Sequence, residues 1–194
     1  STTNFIFADG TFSCVLPGYS QLYVFHAMVE NNVSFPMLFC LVMGKKAKTY
    51  KRLLRLVEEL AHDNGSTVFN RPVTLMCDFE AGFIKVLKQR YKSVRVKCCF
   101  FHFTKNLKEH ARTVITSMKA AVGERSNAFK LAQKTKRRLM LLPLLPEELV
   151  SADVVALIIG AWRDACPAHA DAFKTLMRER HRVVGKVSDD IDRN

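Results

Sequence analysis

What the chain lacks narrows its class. Its 194 residues include one Trp, six Pro and eight Gly, too little Pro and Gly for a collagen-like or low-complexity segment. The longest apolar stretch, Val154 to Trp162, is far short of the roughly 20 residues that span a bilayer. No membrane partner is expected. No basic segment followed by an apolar run opens the chain, so no secretory signal is expected. The start, Ser1-Thr2-Thr3 without Met, is expected to mark an excised fragment or an incomplete product. A Gly-rich loop ending in Lys-Ser/Thr is missing, which argues against a P-loop nucleotidase. The six cysteines are Cys14, Cys40, Cys77, Cys98, Cys99 and Cys166. Cys40 and Cys77 sit within apolar runs, where a free thiol acts as a small hydrophobe, and Cys98 and Cys99 are neighbours that pair awkwardly. A disulfide framework is therefore not expected, and a reducing compartment fits better.

Acidic residues are scarce in one place. From Ile84 to Arg138 there are 16 basic residues and 2 acidic ones, a net +14, whereas the rest of the chain sums to −2. The overall +12 is thus one block. A concentrated block of this kind is a surface for phosphates, nucleic acid first and anionic membrane second, although solvated helix faces give the same pattern. What is present otherwise is ordinary: 48% hydrophobic and 25% charged residues describe a globular chain able to bury a core.

The periodicity changes along the chain. Asn4–Ala8 is apolar and stops at Asp9-Gly10, which predicts a strand and a turn. Thr11–Leu16 is expected to form a second strand, punctuated by Pro17-Gly18. Leu22–Val29 and Met37–Met43 are near-continuous apolar runs, expected to be strands buried on both faces. Tyr50, Leu53, Leu54, Val57, Leu60 and Ala61 fall at helical spacing. Val73–Cys77 predicts a strand, Phe83 to Tyr91 a helix, and Val94–Phe101 a strand. One helix is expected from His102 to Arg138, broken by Pro143 and Pro146, with further helix over 147–184 interrupted at Pro167. The fold class is α/β: a mixed sheet whose early strands are antiparallel, whose strand from Val73 returns parallel to an earlier one, and whose C-terminal part is helical.

Asp9 and Asp78 share a context, since each closes a strongly apolar strand. On parallel neighbours both carboxylates would lie at one sheet edge, where α/β proteins build sites. Two carboxylates close together in a partly desolvated cleft call for a cation, and Mg²⁺ suits them because it is hard and prefers oxygen. Asp is also common at strand ends simply because it favours turns. Cys99 and His102 form C-x-x-H. No second ligand pair follows at finger spacing, so no zinc site is expected within this chain. The pair is expected to pack or hydrogen-bond at a strand-to-helix junction.

Taken in order, Asp9-Gly10-Thr11-Phe12, Tyr23, Pro36, Tyr50-Lys-Arg-Leu-Leu, Cys77-Asp78-Phe79-Glu80 and Cys99-Phe100-Phe101-His102-Phe103 resemble the Mutator-like element (MULE) transposase domain. Sixty-eight residues separate the aspartates and 20 separate Asp78 from Cys99. The resemblance runs from about residue 3 to 112 and is loose beyond. It implies an RNase H-like mixed five-stranded sheet with flanking helices and an all-helical C-terminal insertion or extension. In these terms residues 1–112 are the core and residues 113–194 the insertion and C-terminal helices of the same domain. It implies a DDE triad in which Asp9 and Asp78 are the first two catalytic, metal-binding acids, Cys99 and His102 the family's C-x-x-H signature, and Mg²⁺, or Mn²⁺ in its place, the cofactor. The implied reaction is cleavage of DNA at element ends followed by strand transfer.

The third acid departs from the pattern. The register puts Arg178 at the acid position and Glu179 one residue, about 100° of helix, away. Glu147 and Glu148 are fallbacks. Either Glu179 serves or the triad is broken, and in the second case the chain is a decayed transposase core or a repurposed one, a domesticated, non-catalytic DNA-binding protein derived from a transposase. A protein-interaction role with neither activity is a third option. DNA is the implied partner in the first two, held through its backbone by Lys105, Lys108, Arg112, Lys119, Lys130, Lys134, Lys136, Arg137 and Arg138. A homodimer is an additional option. Lys134-Thr-Lys-Arg-Arg138 also resembles a nuclear localisation run, so the expected location is the nucleus.

Overall fold

Strand and helix alternate as the apolar periods require. The computed structural model describes residues 4–29 and 33–165. The predicted helix beyond 165, Cys166 and Glu179 lie outside the described residues. The chain divides into two compact units, Ser1–Cys99 and Phe100–Asn194.

In the first unit β1 (Phe5–Thr11), β2 (Gln21–Met28) and β3 (Ser34–Val42) precede α1 (Ala47–Asp63), β4 (Val73–Cys77), α2 (Ala81–Arg90) and β5 (Val94–Cys98). The five strands form one sheet in the order β3-β2-β1-β4-β5. β1 and β3 run antiparallel to β2, while β4 runs parallel to both β1 and β5. The mixed, RNase H-like sheet expected from the sequence is therefore present. The parallel returns follow from the helices: a strand fed by α1 or α2 has been carried back to the end where its neighbour began.

Alternate residues of the sheet face the two helices. Ile6, Ala8, Tyr23, Phe25, Leu75 and Cys77 meet Tyr50, Leu53, Leu54 and Val57 of α1 and Phe83, Ile84 and Leu87 of α2 in a single core. Its centre is aromatic: the Phe83 ring lies 5.1 Å from Tyr23 and 5.4 Å, edge-on, from Tyr50, in the tilted arrangements that ring quadrupoles favour. Between α1 and β4, Glu58 accepts from Thr67 Oγ1 at 2.9 Å and from the Phe69 amide, which holds the Phe69 ring in the core.

Three expectations for this unit are corrected. β1 continues through Asp9 to Thr11 in register with β2, and Thr11–Leu16 is not a second strand. Pro17 has no amide to pair, Gly18 takes a positive φ of 88°, and a turn bond from Tyr19 N to Leu16 O (3.1 Å) reverses the chain before Gln21. β3 is not buried on both faces. Leu38, Cys40 and Val42 face the core while Phe35 and Phe39 are 62% and 63% exposed, because α1 and α2 join the core on one side of the sheet and β3, its edge strand, lacks a second neighbour. Finally, β5 stops at Cys98 and Phe100 and Phe101 already belong to a helix.

In the second unit α3 (Phe100–Val122), α4 (Asn127–Leu141) and α5 (Ala152–Ala165) follow one another. Ala111, Val114, Met118, Phe129, Ala132, Leu139 and Leu142 form their core, with Val154 and Ile158 against it. The single helix expected over His102–Arg138 is two helices. Gly123 takes φ 77°, its amide bonds to Lys119 O at 3.0 Å, and Ser126 Oγ caps α4 by accepting from Phe129 N at 3.1 Å. The stop at Pro143 and Pro146 holds, with short 3-10 turns at Leu142–Leu144 and Glu147–Leu149.

Candidate functional site

β1 and β4 are parallel neighbours paired from Phe5↔Thr74 through Ala8↔Cys77. Asp9 is the next residue of β1 and Asp78 the residue that follows β4, so both lie toward the C-terminal edge of the sheet centre. Each carboxylate is oriented by the amide that follows it: Gly10 N donates to Asp9 Oδ1 at 2.8 Å and Phe79 N to Asp78 Oδ1 at 2.6 Å. Cys99 ends the first unit at the same edge, its amide donating to Cys77 O at 2.9 Å. His102 lies in the first turn of α3. Among the described residues no group of three or more His, Cys, Asp or Glu is arranged to hold a metal ion.

Behind this edge runs a polar chain that sequence reasoning missed. Gln21 Nε2 donates to Tyr50 Oη at 2.7 Å, and the Tyr50 hydroxyl donates to Glu80 Oε2. Glu80 Oε1 in turn lies 3.7 Å from Lys45 Nζ, which sits 3.8 Å over the Phe12 ring. Gln21 and Tyr50 are fully buried and the Glu80 side chain is 14% exposed. A phenol has one proton. Since Glu80 takes it, Tyr50 can only accept from Gln21, and this fixes which way the Gln21 amide points. Its Oε1 is left buried without a partner, at a cost of about 1–3 kcal/mol. That oxygen presses against Gly10, where an added Cβ would stand only 2.4 Å from it. Burial first, and then the carboxylate of Glu80, push the Tyr50 hydroxyl well above its ordinary range, so it stays protonated and keeps donating. Burial, followed by the neighbouring Cys98, Asp78 and Glu80, pushes the Cys77 thiol up likewise, and burial does the same to Tyr23. One sign of this chain was legible: a Tyr on the apolar stripe of a helix must find a partner for its hydroxyl.

The predicted basic residues fall on two helices of the second unit. Lys105, Lys108, Arg112 and Lys119 belong to α3, and Lys130, Lys134, Lys136, Arg137 and Arg138 to α4. All are exposed except Lys136, which is half-buried. Lys119 is already paired with Glu124 at 2.5 Å. Lys136, Thr135, Leu107 and Ala111 line one crevice between the two helices. Burial lowers the Lys136 pKa, and the adjacent positive charges of Arg137 and Lys108 lower it further. No helix among the described residues is long and apolar enough to cross a membrane.

A comparison with protein-family models matches residues 5–106 to the MULE transposase domain. That span contains Asp9, Asp78, Glu80, Cys99 and His102 and covers more than half of the chain. No curated protein matches the sequence.

Proposed function

Since the chain belongs to the MULE transposase domain family, with a transposase-related function, we propose that it is a metal-dependent DNA-cleaving and strand-transfer core. The observation that carries this reading is the register of β1 and β4, which brings Asp9 and Asp78 side by side at one sheet edge within the matched residues. Both donors are carboxylate oxygens on adjoining strands, a set that fits a hard divalent cation keeping part of its shell for water and phosphate. In this proposal Asp9 and Asp78 hold Mg²⁺ or Mn²⁺, and Glu179, outside the described residues, is the third acid. The bound ion would activate a water or hydroxyl and offset charge on the leaving oxygen of a phosphodiester. The Gly10 and Phe79 amides keep one oxygen of each carboxylate pinned, so the two acids meet the substrate already oriented. The basic residues of α3 and α4 other than Lys119, which is paired with Glu124, neutralise DNA phosphates, positioning the duplex without reading its sequence. The Lys134–Arg138 run supports a nuclear location.

The test is nicking of a supercoiled plasmid and strand transfer of a labelled duplex under Mg²⁺ or Mn²⁺. Asp9→Ala and Asp78→Ala are each expected to abolish both. If either variant matches the parent rate, the acid assignment is wrong. The sequence favours a second reading: the family register puts Arg178, outside the described residues, at the position of the third acid, which fits a non-catalytic DNA-binding protein. That reading predicts salt-sensitive duplex binding without cleavage, indifferent to Asp9→Ala.

A further inference from the structure

The buried polar chain joins the two segments that carry the aspartates. One end, Gln21 Oε1, abuts Gly10, the residue after Asp9, and the other end is Glu80, two residues after Asp78 and the N-cap of α2. Tyr50 stands between them on α1 and is bonded to both. Nothing in ordinary packing asks for this. A Phe at position 50 would fill the same place against Tyr23 and Phe83, and the chain leaves a buried oxygen unpartnered. Its mechanical effect is specific. The Gln21 amide cannot turn without losing Tyr50, Tyr50 cannot shift without releasing Glu80, and Gly10 cannot move inward without striking Gln21. The Asp9–Gly10 and Asp78–Glu80 segments are thus held at a set separation by three side chains that need not touch substrate.

We propose that Gln21, Tyr50 and Glu80 are positioning residues that set the spacing of the Asp9 and Asp78 carboxylates for a divalent cation. This rests on the reading of those two acids given above. Supporting groups behind metal ligands typically change metal affinity by about 10–100-fold when removed, and this chain reaches the backbone beside both ligands.

The experiment is titration of the full chain with Mn²⁺, with free ion followed by electron paramagnetic resonance, alongside thermal unfolding of each variant. Tyr50→Phe and Gln21→Met are both neutral and near-isosteric, so neither alters the charge around the cation. Each is expected to weaken Mn²⁺ binding about tenfold at a temperature where it is fully folded. Val57→Ala, in the same helix and core but off the chain, is the control; it loses stability and keeps wild-type affinity. Asp78→Asn abolishes binding. If Tyr50→Phe and Gln21→Met bind Mn²⁺ within twofold of the parent while Asp78→Asn does not bind, the positioning role is refuted and the acid assignment stands. If Asp78→Asn binds as the parent does, or the parent binds no Mn²⁺, the acid assignment itself falls and the positioning role with it.

Discussion

Adding a single methyl group at Gly10 probes how tightly the Asp9 segment is seated. An Ala Cβ there would stand 2.4 Å from Gln21 Oε1, 3.3 Å from Gln21 Cδ and 3.3 Å from Tyr23 Cδ2. A surface Gln would swing aside, but Gln21 is fully buried and its other amide atom is bonded to Tyr50 at 2.7 Å. Two costs follow. Forcing a methyl into a filled core costs about 1–3 kcal/mol. Pulling Gln21 away from Tyr50 loses a further 0.5–1.5 kcal/mol or about that. Against them stands the stiffening of the unfolded chain, worth about 0.4–1 kcal/mol. The net loss is about 0.5–4 kcal/mol, centred near 2, against a typical stability of about 5–15 kcal/mol.

The assay is urea unfolding by circular dichroism, with amide hydrogen exchange in β1 and β2 to assign the loss to the first unit. The only tryptophan, Trp162, belongs to the second unit, so hydrogen exchange and not fluorescence is the probe of the first. The cause is isolated by a double-mutant cycle. In a Gln21→Ala background the obstructing amide is gone, so Gly10→Ala should cost about 1–2 kcal/mol less there than in the parent. Wild-type stability for Gly10→Ala, or strict additivity in the cycle, would refute the close approach of Gly10 to Gln21.

Gly82→Ala is expected to destabilise the protein although Ala favours a helix by about 1 kcal/mol. Its Cβ would meet Lys45 O at 2.8 Å and Ala47 N at 3.2 Å. Those are backbone atoms that cannot step aside, so overpacking of about 1–3 kcal/mol wins, and a raised melting temperature would contradict it. The buried acids predict alkaline weakness. Cys77 and Tyr50 have folded pKa values raised above their ordinary 9.0 and 10.0, so the unfolded chain releases those protons first. Stability is then full below about pH 9 and falls as pH rises further, by about 1.4 kcal/mol per unit for each proton. Urea midpoints at pH 8, 9 and 10 should fall accordingly, with a shallower fall in Cys77→Ala; midpoints that stay flat would show that these groups are not held protonated. For DNA, Lys108→Gln and Lys136→Gln should each lower the salt slope of duplex binding by about 0.9. Lys119→Gln, whose charge already serves Glu124 at 2.5 Å, should leave the slope unchanged, and equal slopes for all three variants would count against the α3–α4 face as a phosphate surface.

The parts of this structure that were legible in the sequence are those written by short-range period. Val73–Cys77 and the Tyr50–Ala61 stripe carry their own geometry, and a helix between two strands leaves a parallel return as the natural outcome. From that alone Asp9 and Asp78 could be set at one edge, and the register through Ala8↔Cys77 agrees. Where local period was ambiguous, tertiary context decided. The apolar run of β3 looked like a central strand because composition does not say which neighbour is missing. The split between α3 and α4 turned on one residue, Gly123, whose positive φ a periodic count passes over.

Beyond the one hint of a Tyr on an apolar stripe, the polar chain was illegible for a different reason. Its bonds link residues 29 and 30 apart in sequence, and none of its members breaks a local pattern. Gln21 opens a strand, Tyr50 sits on an apolar helix stripe, and Glu80 precedes a helix, where an acidic residue is favoured in any case. Each has a sufficient local explanation, so only their convergence is informative. That convergence also separates burial from function in this edge. Apolar side chains at 21, 50 and 80 would remove three buried polar groups and their desolvation, so a fold seeking stability alone has little use for them. A fold that must keep two carboxylate-bearing segments at one distance has use for directional bonds, because apolar contacts are non-directional. Stability and carboxylate spacing should therefore come apart on replacement of the three residues by apolar ones. The redesigned chain, Gln21→Met with Tyr50→Phe and Glu80→Met, is expected to melt within a few degrees of the parent while losing the sharp Mn²⁺ binding curve. A chain that instead unfolds outright would make these bonds structural supports of the sheet and not setters of its edge.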